Sequence, residues 1–388
     1  MKWAHGYLLL CSATFAVLFR DLLPLLPYAR LPVPTVPVVL AFLGYVATLA
    51  VLGAFLPGKT YAGAVLPDGS RLTYKCNGLQ VVGVVVTALA VAHWSAYWRA
   101  TWVVHHYAQL LLVANAFALA LSVYLCVAGR LRRPRNWLRS TSLLADFVMG
   151  AELNPTVLAI DVKFFSYRPA MAGWLIVNLS FLAKQLDHLG FITSRMLLYQ
   201  LVTAWYIWDY FVHEPKIVST WDIIAEHFGL MLVWGDYVFI VFAFSVQNFF
   251  LLDDTRPLSY LEVALIAITF SLGFAVFRGA NSQKHQFKTQ PKTHIWGKPP
   301  ITVGDRLLAS GFWGIARHMN YTGDLMLALS FSLPCGRASP LAYFYFFYLL
   351  LLTVHREMRD DQRCSRKYKS LWDEYCLQVP YRMVPFVY

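Results

Sequence analysis

Gly311-Phe-Trp-Gly-Ile-Ala-Arg-His-Met-Asn-Tyr-Thr-Gly-Asp324 is polar, aromatic and glycine-studded, and it runs straight into an apolar segment, Leu325–Leu333. Arg317, His318, Asn320 and Asp324 therefore stand at the edge of an oily run. Polar groups beside a bilayer need partners or a ligand, which makes such a cluster a candidate site. The same residues also suit an interfacial loop whose cations snorkel and whose Trp313 and Tyr321 lie in the aromatic belt. The stretch itself leaves both readings open.

Its surroundings decide the fold class. The 388 residues are 58% hydrophobic and only 14% charged, far from a soluble average. A bilayer core about 30 Å thick takes about 20 helical residues to cross. About ten such stretches recur: Gly6–Leu26, Val36–Leu56, Leu79–Tyr97, Trp102–Val127, Met171–Leu186, Ser194–Phe211, Gly229–Leu252, Tyr260–Phe277, Leu325–Leu333 and Leu341–Val354. The expected fold is an all-α polytopic membrane protein of about ten transmembrane helices. Residues 1–56 would form an N-terminal transmembrane hairpin, and 57–388 one functional membrane domain. The apolar run after Lys2 has no small-x-small cleavage site behind it, so it reads as a span.

Charge sets the orientation. The formal net charge is +12, which in a membrane protein chiefly reports cytosolic loops; no nucleic acid partner is expected. Arg130, Arg132, Arg133, Arg135 and Arg139 share the connection Gly129–Pro169. Arg278, Lys284, Lys288, Lys292 and Lys298 share the connection Arg278–Asp305, and Arg356, Arg359, Arg363, Arg366 and Lys367 the tail His355–Tyr388. Ten spans place all three on the cytosolic face together with both termini. The six cysteines form no C-x-x-C pair, and no metal-ligand spacing is seen, so neither a metal nor a disulfide framework is indicated.

Several residues on that face are able to do chemistry. Lys284 and Lys288 are four apart and share one helical face; they suit a phosphate, or a topology-setting charge or anionic lipid contact. The tail puts Arg356, Asp360, Arg363 and Lys367 beside Tyr368, Trp372 and Tyr375. That pattern stacks a heteroaromatic ring and binds phosphate, or lies as an amphipathic helix on the bilayer. No G-x-G-x-x-G occurs, so a nucleotide would be held by side chains rather than a Rossmann turn. Tyr206, inside an apolar run, is either a proton donor or a satisfied structural phenol. Asp236 is a carboxylate at costly depth. Glu152 and Asn154, ahead of Pro155, would cap a helix or line a cavity.

Taken together, the motifs resemble the sterol reductase family, which includes the Δ14- and Δ7-sterol reductases and the membrane part of lamin B receptor; they are most like the plant-type Δ14 members. The residues are Tyr74-Lys-Cys-Asn-Gly-Leu79, Glu152-Leu-Asn-Pro155, Phe277-Arg-Gly-Ala-Asn-Ser-Gln-Lys284, Ile295-Trp-Gly-Lys-Pro-Pro300, Leu308 to Asp324, Ser332-Leu-Pro-Cys-Gly336 and Val379-Pro-Tyr-Arg382. They cover the chain from about Pro57 onward, while the first two spans diverge. This chain has Lys288 where the family often has Arg, and Met319 where it often has Pro.

The resemblance implies a ten-span enzyme of the endoplasmic reticulum membrane with a cytosol-facing cofactor pocket, which reduces a sterol double bond with NADPH. Lys284 and Lys288 would face the adenosine phosphate. Leu308, Trp313, Asn320 and Tyr321 would border the groove, and Arg356, Asp360, Cys364, Ser365, Arg366, Lys367, Tyr368 and Tyr375 would complete it. Tyr206 and Asp360 would supply the proton, and Glu152, Asn154 and Asp236 would line the sterol site. An isolated alkene accepts hydride poorly, so an acid first protonates one carbon, and the conjugated 8,14-diene delocalises the resulting cation. The sterol would enter from the lipid phase. The Δ14 bond is the expected target, with two alternatives: reduction of the Δ7 bond, or a membrane methyltransferase using S-adenosylmethionine, which shares an Arg-His-x-x-Tyr-x-Gly pattern.

Overall fold

The structure is a computed structural model, and it describes residues 32–66, 69–132 and 142–388. The expected span Gly6–Leu26 lies outside the described residues, as do Arg133, Arg135 and Arg139. The longer helices are α1 (Val36–Phe55), α2 (Gly78–Trp94), α3 (Tyr107–Arg132), α4 (Val162–Leu189), α5 (Ser194–Val212), α6 (Leu230–Leu251), α7 (Tyr260–Thr289), α8 (Met319–Ser332), α9 (Phe344–Tyr368) and α10 (Ser370–Gln378). A helix thus occupies each of the other nine expected spans. Among the described residues four helices, α1, α3, α6 and α7, are long and apolar enough to cross a bilayer, as a polytopic membrane protein requires.

The chain forms two compact units, residues 1–192 with 203–253, and 193–202 with 254–388. In the first, an antiparallel hairpin, β1 (Lys59–Val65) and β2 (Arg71–Cys76), pairs Lys59 with Cys76 and Tyr61 with Tyr74. Its inward residues close a small core of Tyr74, Phe164, Val218 and Ile223. Asn77, which follows β2, donates to the Gly53 and Leu56 carbonyls at 3.0 Å each, so the hairpin is tied to the end of α1.

Two expectations about the connections need correcting. The connection after α3 was expected to run to Pro169, but α4 begins at Val162, where the Asp161 carboxylate accepts the Phe164 N–H at 2.9 Å. Such a cap ends a loop wherever it occurs, and Pro169 sits inside the helix with its carbonyl accepting from Tyr45 Oη at 2.9 Å. Likewise, the basic segment after Phe277 is not loop at first: α7 continues to Thr289 because Ala280, Gln283 and Phe287 bury one face. Within α6, Gly235–Ala243 is wound as a π-helix containing Asp236, a local form often found at functional sites.

In the second unit, a capping box starts α7: Glu262 N donates to Ser259 Oγ, and Ser259 N to the Glu262 carboxylate. Helices α7 and α8 cross with almost no space between their backbones. A Cβ at Gly323 would lie 2.5 Å from Phe277 N and 2.8 Å from the Gly273 carbonyl. Small residues permit this approach. Gly323→Val is therefore expected to destabilise the protein by about 1–3 kcal/mol through overpacking, seen as a lower midpoint in thermal unfolding of the detergent-solubilised chain.

Candidate functional site

The site in the second unit starts from α7. The buried face named above leaves Lys284 and Lys288 exposed one turn apart. Beneath Lys284, the 3-10 turn Gly311–Gly314 brings in Trp313. Gly311 opens that turn at φ +62°, and a Cβ there would strike Gln283 and Ile295; only glycine meets both demands cheaply. Gln283 instead accepts the Phe312 N–H at 2.9 Å. The Trp313 indole donates to the Ala280 carbonyl at 2.8 Å, and its own carbonyl accepts from Tyr375 Oη at 3.0 Å. Lys284 Nζ stands 4.0 Å above the Trp313 ring centroid, within cation–π range. Leu308, on the two-residue strand Leu307–Leu308, is buried in the core that supports Trp313.

Helix α8 supplies the next side chains. The His318 ring stacks parallel on Tyr321 at 4.9 Å. Tyr321 Oη donates to Asp360 Oδ2 of α9 at 3.2 Å, and Asn320 Nδ2 donates to Asn281 Oδ1 of α7 at 3.5 Å. The Asn320 Oδ1 is buried without a hydrogen-bond partner, as is Asp324 Oδ1. Buried orphaned acceptors point to a missing donor.

The electrostatics point the same way. Lys284 lies in the field of Lys288 and Arg356 as well as Asp360 and Cys364, and Lys288 in that of Lys367 and Arg363. Five cations, Lys284, Lys288, Arg356, Arg363 and Lys367, are thus grouped on α7 and α9, with Asp360 among them. Burial, reinforced by Lys284, Arg317, Arg356 and Arg382, pushes the His318 imidazole down to about 3, so it is neutral at physiological pH. Of the remaining expected cofactor residues, Cys364 and Tyr368 pack against the Trp372–Tyr375–Val379 core, and Lys367 Nζ lies 4.9 Å from the Tyr368 ring centroid. Ser365 and Arg366 are exposed on α9.

The other expected residues belong to the first unit. Tyr206 of α5 meets Trp174 edge-on at 6.0 Å. Asp236 is buried and interacts with Lys163 and Asp222. Asn154 is buried, with Nδ2 donating to the Ile223 carbonyl at 3.2 Å and Oδ1 unpartnered. Burial raises the Glu152 carboxyl, against a smaller opposing pull from Arg132.

Comparison with known proteins adds the decisive observation. The model of the ergosterol biosynthesis ERG4/ERG24 family matches residues 9–388. The chain belongs to that family. A Delta(14)-sterol reductase of Arabidopsis thaliana is 47% identical over 359 residues, 92% of this chain and 97% of the relative. A Delta(14)-sterol reductase of Methylotuvimicrobium alcaliphilum is 41% identical, covering 87% of this chain and 80% of the relative. The 7-dehydrocholesterol reductase of Danio rerio is 35% identical, covering 85% and 73%.

Against this family background, two features stand out that sequence reasoning missed. Lys163 is fully buried, and its ammonium donates to the carbonyls of Asp222, Ile223 and Glu226 at 2.6, 3.1 and 2.9 Å. Burial pushes it down to about 8, with Asp161 the first of four carboxylates opposing the shift. The second is a buried ion pair, Arg168 Nε to Glu214 Oε1 at 3.1 Å.

Proposed function

We propose that the chain reduces the 14(15) double bond of a sterol with NADPH, in sterol biosynthesis at the endoplasmic reticulum membrane, through ten spans whose basic connections face the cytosol. The identities to Delta(14)-sterol reductases support the bond reduced. The observation that carries the cofactor is the cluster of Lys284, Lys288, Arg356, Arg363 and Lys367 beside Trp313, a charge and ring pattern fitted to a phosphorylated nucleotide. Lys284 and Lys288 hold the adenosine phosphate, and Asn320, with its orphaned oxygen, accepts from the cofactor. When bound, the cofactor supplies the hydride. Asp360, one of whose carboxyl oxygens accepts from Tyr321, is the proposed acid, and Tyr206 is the second candidate. Glu152, Asn154 and Asp236 are the proposed sterol-side residues.

The test uses purified chain, a sterol 8,14-diene and NADPH. Expected is NADPH oxidation matched mole for mole by loss of the diene. Consumption of a 5,7-diene alone would move the assignment to the Δ7 bond, and methyl transfer from S-adenosylmethionine without NADPH oxidation would reject it. Lys284→Ala is expected to raise KM for NADPH by roughly ten-fold or more, since a hydrogen bond to a charged group is worth about 1.5–3 kcal/mol. KM for NADH, which lacks the phosphate, should move far less.

A further inference from the structure

A different part of the second unit touches α8 and α9, two of the helices that carry the cofactor residues. Glu357 lies on α9 between Arg356 and Asp360 and is only 1% exposed. Its two carboxylate oxygens each accept from Arg382 Nη1 at 3.1 Å, and Oε2 also accepts from Tyr388 Oη at 3.1 Å. The backbone N–H groups of Arg382 and Met383 donate to the Tyr388 carbonyl at 2.9 and 3.0 Å, closing the segment on itself. Its other side is bonded to α8 and the residue pair before it. Arg317 N donates to the Tyr381 carbonyl at 2.9 Å, and Thr322 Oγ1 to the Met383 carbonyl at 2.6 Å. Arg382 further reaches Asp361 at 3.8 Å, and Asp361 accepts from Trp372 Nε1 at 3.2 Å.

We propose that Val379–Tyr388 is a positioning strap for the cofactor site, with Arg382 and Tyr388 acting through Glu357 to fix the rotation of α9 against α8. The proposal rests on the NADPH reading above. A buried carboxylate is tolerated only while its donors stay in place. Turning α9 about its axis would pull Glu357 from three hydrogen bonds, so the strap selects one phase of the helix. In that phase Asp360, three residues after Glu357, accepts from Tyr321, and Arg356, one residue before it, lies in the field of Lys284. The Tyr321–Asp360 contact bridges α8 and α9 directly, and the strap bridges the same two helices through different residues.

The test compares Arg382→Met, Arg382→Lys, Glu357→Gln, Tyr388→Phe and the Arg382→Met/Glu357→Gln pair in the purified full chain. Arg382→Met should raise KM for NADPH about ten-fold, the loss of one charge-assisted contact, with KM for the sterol unchanged. Arg382→Lys should recover part of the loss, and Tyr388→Phe should show a smaller rise. The double variant should be no worse than the worse single one, because both act on one contact. Equal rises in both KM values, additive losses, or no change in KM would overturn the strap. Should the unmutated chain fail to oxidise NADPH with any sterol, the cofactor reading falls, and amide exchange decides the strap separately. Faster exchange across 356–361 in Arg382→Met supports it, and unchanged exchange overturns it.

Discussion

Asp360→Asn is expected to lower turnover by a factor of about 10² to 10⁴, the usual contribution of a positioned acid, while leaving NADPH binding nearly intact. Tyr321 Oη donates to one oxygen of Asp360 at 3.2 Å, and an amide oxygen accepts that bond equally well. The helices α8 and α9 therefore keep their bridge, and only the transferable proton is lost. Steady-state kinetics with an 8,14-diene gives the turnover, and cofactor fluorescence titration gives the binding. Tyr206→Phe is the companion variant. Should it alone abolish turnover, Tyr206 is the acid and Asp360 a cofactor-site residue; full activity in both variants would remove both assignments.

Glu214→Ala should cost about 3–5 kcal/mol of stability, the range for stripping one partner from a buried ion pair. Arg168 and Glu214 side chains are 7% and 4% exposed. Glu214 also accepts the Gly78 N–H at 2.8 Å, and Arg168 donates to the Lys75 carbonyl at 2.8 Å. One carboxylate thus joins the start of α2, the hairpin strand β2 and helix α4. Its removal leaves a guanidinium without its counter-charge and a backbone donor without its acceptor. Thermal unfolding of the solubilised chain measures the loss. The double variant Arg168→Met/Glu214→Leu should regain much of it, since no buried charge then remains; a double loss equal to the sum of the singles would refute the pairing.

The sequence carried the apolar runs clearly, and nine of the ten expected spans meet a helix in the described residues. It carried helix ends poorly. Beyond Phe277 and Val354 hydropathy falls, yet α7 and α9 run on to Thr289 and Tyr368, held by side chains spaced three and four apart rather than by oil. The cation group was legible because Lys284, Lys288, Arg356 and Lys367 fall at helical spacing and in motifs shared with a known family. Lys163 was not, because its three partners are carbonyls, and a carbonyl leaves no trace in residue identity. Arg168 and Glu214 are 46 residues apart, and nothing local to either names the other. The contribution of Glu357 was hidden for the same reason, since it looks like one more acid in a charged tail.

Helix α7 is one unbroken rod from Tyr260 to Thr289, with Leu261, Ile268 and Leu272 exposed along its first half and the two lysines near its far end. Each residue of an α-helix advances the face by about 100°. A single insertion or deletion between Leu272 and Lys284 would turn the ammonium by that angle relative to the apolar first half, whereas seven residues, close to two full turns, would nearly restore its bearing. Length in this rod is therefore counted in turns, and drift by single residues is closed to it.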